Sequence, residues 1–215
     1  VLDAILDDDD TTFISLILNK EPDPNQYFSM TNYSLPFILR SKPTYLSLCA
    51  FFNSEKCFTR FSMEIKDGLS SPVLQKKDYD KRSPIHYACA GGNLNIIRML
   101  YDAEYDLNAQ DVDGLLPSHF SAITGTVDSM KYLFMKGGNI FGSNQIPITP
   151  FQVACLYGNL EIVKFFCEEL DKKDEILNEF IHLRGFDSIT PLHLACEGGH
   201  DKIVNYILSK KEYAQ

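Results

Sequence analysis

The residues of this 215-residue chain whose types and spacing could do chemistry are two histidine–cysteine pairs, a run of aspartates and a cluster of carboxylates. His86 and Cys89 stand three apart, as do His193 and Cys196, so on a helix each pair shares one face. Two ligands do not make a metal centre: a structural zinc site closes with four convergent ligands, and these pairs lie in widely separated segments. Asp7 to Asp10 invites a calcium reading. A calcium loop of the EF-hand type needs alternating oxygen ligands, a central glycine and a terminal glutamate, and the run has none of them. It reads instead as a solvated turn that starts a helix, with Asp10 as N-cap. The carboxylates Glu168, Glu169, Asp171, Asp174 and Glu175 are interrupted by Lys172 and Lys173. They suit a solvated helix end or insert better than a paired acid and base. No G-x-S-x-G, G-x-x-x-x-G-K-[ST], H-E-x-x-H or G-x-G-x-x-G occurs. The expectation is a chain with no enzymatic activity, no cofactor and no metal.

Composition narrows the partners. The formal net charge is −9, with 45% apolar and 23% charged residues, ordinary for a globular protein. Binding to phosphate backbones or anionic membranes needs clustered Lys and Arg, so neither nucleic acid nor a membrane surface is expected. Cys49, Cys57, Cys89, Cys155, Cys167 and Cys196 form no CxxC pair and match no zinc framework. They read as free thiols in a reducing compartment. The expected location is the cytoplasm, with the nucleus as an alternative, and the expected state is a monomer. Cys89, Cys155 and Cys196 share one helix position, which suits small buried residues. The N-terminus shows no basic segment or cleavage signature. The apolar run from Phe13 to Leu18 is too short to span a bilayer. The first residue is not methionine, which suggests a piece of a longer chain.

The elements that position these residues come next. Leu2 to Leu6 and Thr11 to Leu18 read as two short helices. Residues 19–42 carry Pro22, Pro24 and Pro36 and read as a connector, with one turn of helix in the apolar patch from Leu35 to Leu39. The glycosylation sequon Asn32-Tyr33-Ser34 is incidental in a reducing setting. Beyond it a register appears. Ser83-Pro84-Ile85-His86-Tyr87-Ala88 returns as Thr190-Pro191-Leu192-His193-Leu194-Ala195. Aligned on the proline, units begin at Tyr45, Pro84, Pro117, Pro150 and Pro191, at spacings of 39, 33, 33 and 41. Gly92, Gly125, Gly158 and Gly199 each follow their proline by eight residues, with Asn53 in the first unit.

Each feature has a physical reason. Proline in a first helical turn loses no hydrogen bond, because that N–H has no partner in any case. The Thr or Ser before it can cap the helix. Ala88, Ala154 and Ala195 let neighbouring helices approach. Glycine ends the first helix in a left-handed conformation. The second helices carry apolar residues at helical spacing, as in Leu94, Ile97, Met99 and Leu100. One such pair cannot bury its apolar face alone, so stability must come from stacking.

A period of 33 with T-P-L-H-x-A and a later glycine resembles the ankyrin-repeat family, from about residue 44 to 208, with residues 1–18 similar to a divergent extra repeat. The resemblance implies an all-α solenoid of stacked helix-turn-helix units. It would comprise a divergent segment 1–42 and an array 43–215, with units near 44–77, 78–110, 111–143, 144–184 and 185–215. It departs from the pattern at Leu116, Ser118 and Ser121, and at Gln152 in place of histidine. It implies that His86 and His193 tie each helix start to its turn. Asn108 resembles the asparagine that hydroxylases modify in some ankyrin proteins, and its turn position alone accounts for it.

The function the family implies is non-catalytic binding of another protein along a concave face lined by loops and the exposed side of the first helices. The register places Tyr79, Asp80 and Arg82 in one loop. It places Val112, Asp113 and Leu115 in the next, with Ile123 and Thr124 on its helix. The following unit contributes Gln145, Ile146, Ile148, Leu156 and Tyr157, and the last contributes Phe186, Asp187, Ile189 and Glu197. Phe51 and Phe52 fall at the helix positions of the first unit. Many of these are apolar where exposed residues are ordinarily polar, as an interaction strip would be. The rivals are a regulatory module of a larger enzyme and an adaptor for cytoskeletal or membrane proteins. The unit at Pro191 matches an internal repeat closely, and residues 209–215 are too few to cap it. Further repeats, or a second copy, are the two expected covers for that end.

Overall fold

In the computed structural model the described residues are 1–18, 37–142, 148–169 and 189–209. Among them every regular element is helical. The chain divides into two compact units, Val1–Asp113 and Gly114–Gln215.

The first unit opens with α1 (Leu2–Leu6) and α2 (Asp10–Leu18). Asp9 caps α2, one residue before the expected Asp10. Its carboxylate accepts from the Thr12 amide at 3.1 Å and from the hydroxyls of Thr11 and Thr12 at 2.8 and 2.6 Å. Those bonds, Thr12's first, stabilise the carboxylate and hold its pKa down at about 2. Asp10 lies inside the helix because only the residue before it has threonines two and three positions ahead to bind. A 3-10 turn, Phe37–Ser41, buries Ile38 and Leu39. It leads to α3 (Tyr45–Phe51), α4 (Glu55–Glu64), α5 (Pro84–Gly91) and α6 (Leu94–Asp102). Thr44 caps α3, its hydroxyl accepting from the Ser47 amide at 3.2 Å. Helices of like position pack on each other: α2 on α4, α4 on α6, and α3 on α5. Phe13 lies edge-on to Phe61 and Tyr45, with ring centres 5.7 and 6.3 Å away. Asn53 holds the left-handed turn at φ +60°, a conformation its short polar side chain tolerates. Its amide donates to the Gly91 carbonyl at 2.8 Å.

The second unit repeats the plan with α7 (Pro117–Thr124), α8 (Val127–Met135), α9 (Pro150–Tyr157) and α10 (Leu160–Lys164). The last of these widens into a π turn over Phe165–Glu169. They are followed by α11 (Pro191–Glu197) and α12 (Asp201–Leu208). The first helices pack in order, α7 on α9 and α9 on α11; α10 lies between α8 and α12. Ala122, Ala154 and Ala195 have no exposed surface, as close helix approach requires. Leu116 has no hydroxyl to cap α7, and His119 compensates: its Nδ1 accepts from the Leu116 amide at 3.0 Å. Gly125 turns at φ +81°, and a Cβ there would meet Asn159 Oδ1 at 2.7 Å. That approach lets Asn159 donate to the Ala122 and Ile123 carbonyls at 2.6 and 3.0 Å. His200 makes the matching bond one unit on, 2.8 Å from the Leu156 carbonyl. Cys89 and Cys155 are fully buried, whereas Cys196, expected to match them, is exposed. Nothing among the described residues covers that side of α11.

Candidate protein-binding surface

Three stretches of chain in the first unit are laid side by side by backbone bonds. The Tyr79 amide donates to the Ser41 carbonyl at 3.1 Å, and the Val112 amide to the Asp80 carbonyl at 2.8 Å. Between them the chain turns tightly, with the Lys81 amide on the Asp78 carbonyl at 3.1 Å and the Asp78 amide on the Arg82 carbonyl at 2.9 Å.

Beneath this platform lies Arg82, 3% exposed. Its Nη1 donates to Ser41 Oγ at 2.7 Å, and its Nε stands 3.2 Å from Asp111 Oδ2. Its Nη2 lies 3.3 Å from Asp80 Oδ2, which also accepts from the Ser41 hydroxyl. A planar fork of donors suits such multiple ties. Asp78 completes the base, Oδ1 accepting from the amides of Asp80 and Arg82 at 2.9 and 2.7 Å. The Tyr87 hydroxyl lies between Asp78 Oδ2 and the Ile38 carbonyl. Burial pushes the Asp78 carboxyl up to about 6, against the hydrogen bonds from Tyr87 and Arg82. The Tyr87 hydroxyl is pushed up as well, by burial first and then by the Asp78 charge.

This geometry sorts the candidate residues. Arg82 was expected to meet a partner; it is buried because it pins three loops and its charge is spent on them. Asp80 is 39% exposed and shares Arg82. Tyr79 and Val112 stand out at the tips, 64% and 50% exposed, with Lys42 Nζ 4.7 Å above the Tyr79 ring. Asp113 is exposed and Leu115 half-buried. Phe51 and Phe52 are half-buried and edge-on to each other, ring centres 5.1 Å apart.

In the second unit Tyr157, Ile189, Thr124 and Glu197 are exposed, while Ile123, Ile148 and Leu156 are half-buried. Gln145, Ile146, Phe186 and Asp187 lie outside the described residues. Sequence reasoning passed over Ser41, Asp78 and Asp111, the parts that hold the loops. A signal was there, since Asp78 and Asp111 each stand six residues before their proline.

One serine–histidine contact among the described residues invites a nucleophilic reading. Ser83 Oγ is 3.2 Å from His86 Nδ1, a distance a serine–histidine dyad would show. That ring nitrogen also faces the Ser83 amide at 3.1 Å, and Nε2 is taken by the Ala109 carbonyl at 3.0 Å. Both residues are buried, so the pair is a helix cap. Three buried thiols are held protonated: burial, then the Asp8 charge, pushes Cys57 up to about 12, and burial raises Cys49 and Cys155 as well. Among the described residues no group of three or more His, Cys, Asp and Glu could hold a metal ion. None of their helices is long and apolar enough to cross a membrane. A surface recess of about 530 Å³ in the first unit is lined by Asp8, Asp10, Glu55, Lys56, Thr59, Arg60 and Met63. Its charges are of both signs and select no ligand.

Comparison with known proteins adds the following. A family model described as ankyrin repeats (3 copies) matches residues 46–145 and 119–215. The chain is 31% identical over 101 residues to human transient receptor potential cation channel subfamily A member 1, covering 47% of this chain and 9% of that protein. It is 32% identical over 89 residues to human SH3 and multiple ankyrin repeat domains protein 2, covering 41% and 5%. It is 31% identical over 94 residues to rat protein phosphatase 1 regulatory subunit 12A, covering 44% and 9%. The chain thus spans less than a tenth of the length of these relatives.

Proposed function

The chain belongs to the ankyrin-repeat family, and we propose that it is a non-catalytic module that binds a partner protein through its loop tips and the adjoining ends of its first helices. The observation that carries this is the exposure of Tyr79 and Val112 on a platform fixed from below by Arg82. Ordering a loop before binding removes an entropic cost that a flexible loop would meet on association. Exposed aromatics on such a base are the residues from which binding hot spots are drawn. Tyr157 offers a similar anchor in the second unit, at 48% exposure. Half-buried Leu115, Ile123, Ile148 and Leu156 supply flanking apolar surface. The six cysteines, all free thiols, support a reducing compartment such as the cytoplasm.

The test is affinity capture with the chain and with a variant carrying Tyr79→Ser, Val112→Ser and Tyr157→Ser, folding being checked by circular dichroism. Partners should be lost from the variant, each anchor contributing about tenfold in Kd. Partners retained at unchanged affinity would refute the assignment. A second reading, regulation of a larger enzyme, draws support from the likeness to a phosphatase regulatory subunit. It predicts a catalytic protein among those captured.

A further inference from the structure

The Tyr87 hydroxyl stands between two acceptors. It lies 2.9 Å from the Ile38 carbonyl and within hydrogen-bond distance of Asp78 Oδ2. A hydroxyl has one proton to donate, and neither a carbonyl nor a carboxylate can donate in return. With Asp78 ionised, only one of the two contacts is a hydrogen bond. A charged acceptor makes the stronger bond, so the proton faces Asp78 and the Ile38 carbonyl loses Tyr87 as a donor. With Asp78 neutral, its O–H donates from Oδ2 to the Tyr87 oxygen, and the Tyr87 proton turns to Ile38. Oδ1 keeps the amides of Asp80 and Arg82, at 2.9 and 2.7 Å. All the contacts are then hydrogen bonds. Asp78, Tyr87 and Ile38 are all buried, where an unmade bond costs most.

The surrounding charges favour the same neutral form. Arg82 is the cation that acts on Asp78, and Asp80, from the same turn, is the anion that opposes it; Tyr87 is the titratable group facing it from α5. The Arg82 guanidinium already meets Asp80 at 3.3 Å and Asp111, from the next loop, at 3.2 Å. Three carboxylates thus gather about one positive charge, and one of them is relieved by taking a proton.

We propose that Asp78 and Tyr87 form a proton-operated latch: the neutral carboxyl sends the Tyr87 proton to the Ile38 carbonyl and fastens the turn Phe37–Ser41, and the carboxylate withdraws that proton and slackens the turn. The turn is part of the platform. The Ser41 carbonyl accepts from the Tyr79 amide at 3.1 Å, and its hydroxyl oxygen accepts from Arg82 Nη1 at 2.7 Å. Lys42, the next residue, sets its ammonium over the exposed Tyr79 ring. Any effect on binding rests on the partner-binding reading above, with the better-ordered tips on the acid side of about pH 6. The latch itself belongs to the free chain and is tested without a partner, so either reading can fail alone.

The 215-residue chain, labelled with carbon-13 and nitrogen-15, is titrated by NMR from about pH 4 to 8, across the value near 6 at which Asp78 ionises. The Asp78 carboxyl carbon and the Ile38 carbonyl carbon should shift together with one midpoint, Ile38 moving upfield as its donor leaves. Backbone relaxation of residues 37–42 should show more motion above that midpoint than below it. Asp78→Asn supplies the neutral acid's pattern at every pH, since its oxygen accepts from the two amides and its nitrogen donates to Tyr87. Ile38 should then hold its low-pH shift throughout. Tyr87→Phe removes the relay, so Ile38 should stop responding while the carboxyl still titrates. An Ile38 carbonyl that stays fixed while Asp78 titrates would overturn the proposal. So would an ordinary carboxyl midpoint near 3.8, relaxation unchanged across the midpoint, or an Ile38 response that survives in either variant. Should Tyr87→Phe fail to fold, the parent and Asp78→Asn decide the matter between them.

Discussion

Arg82 and Asp111 form an ion pair shielded from water: Nε stands 3.2 Å from Oδ2, and the side chains are 3% and 0% exposed. With Ser41 and Asp80 on the same guanidinium, one charge fastens three loops. Arg82→Met would strand Asp111 without its counter-charge and should cost about 3 kcal/mol, read as a lower urea midpoint. Arg82→Lys should recover little, since an ammonium cannot span the fork. A loss below about 1 kcal/mol for Arg82→Met would show that backbone bonds alone hold the loops.

Asp78 predicts an unusual pH dependence. Its folded value of about 6 lies above its ordinary 3.8, so below pH 4 the group is protonated in both states and adds no penalty. As pH rises from about 4 to 6 the unfolded chain ionises first, and the folded state loses stability. The loss is complete above about 6 and should amount to about 3 kcal/mol. Asp78→Asn keeps an acceptor for the two amides, and its difference from the parent should grow over that window. Urea midpoints measured from pH 4 to 7 that track in parallel would refute this.

Lys81 holds φ +60° where the next loop has Gly114 at φ +81°. A left-handed non-glycine residue is strained by about 1 kcal/mol, and glycine returns part of that gain to the unfolded chain. Lys81→Gly should therefore raise stability by about 0.5 kcal/mol. A thermal scan showing a lower Tm would contradict it.

Ser129 Oγ is buried with no hydrogen-bond partner among the described residues. Removing an unsatisfied hydroxyl restores a desolvation cost, so Ser129→Ala should stabilise the protein by about 1 kcal/mol. A destabilisation of that size would mean the hydroxyl is satisfied in solution.

The repeat register was legible because each of its marks answers a local requirement. Glycine at φ +88° after α5, at Gly92, and proline at the start of α5, α7, α9 and α11 depend on backbone geometry that a sequence displays. The N-terminal helices were legible for the same reason, apart from the choice of Asp9 over Asp10. Burial at loops was harder to read. Arg82 looks like any exposed loop cation until Ser41 and Asp111, 41 positions before and 29 after, are seen to meet at it. Cys196 failed in the other direction. Its pattern is that of Cys89, but burial belongs to the neighbour that packs on a helix, and α11 has none on that side among the described residues.

Asn53, Asn159 and His200 each reach only to the adjacent helix pair. Free energy in a stacked array is passed mainly between neighbouring units. Denaturation should then be a series of fraying steps working inward from the more weakly flanked pairs. A melting temperature would report an average over those steps, not one transition. Calorimetric enthalpy larger than the van't Hoff value would be its signature.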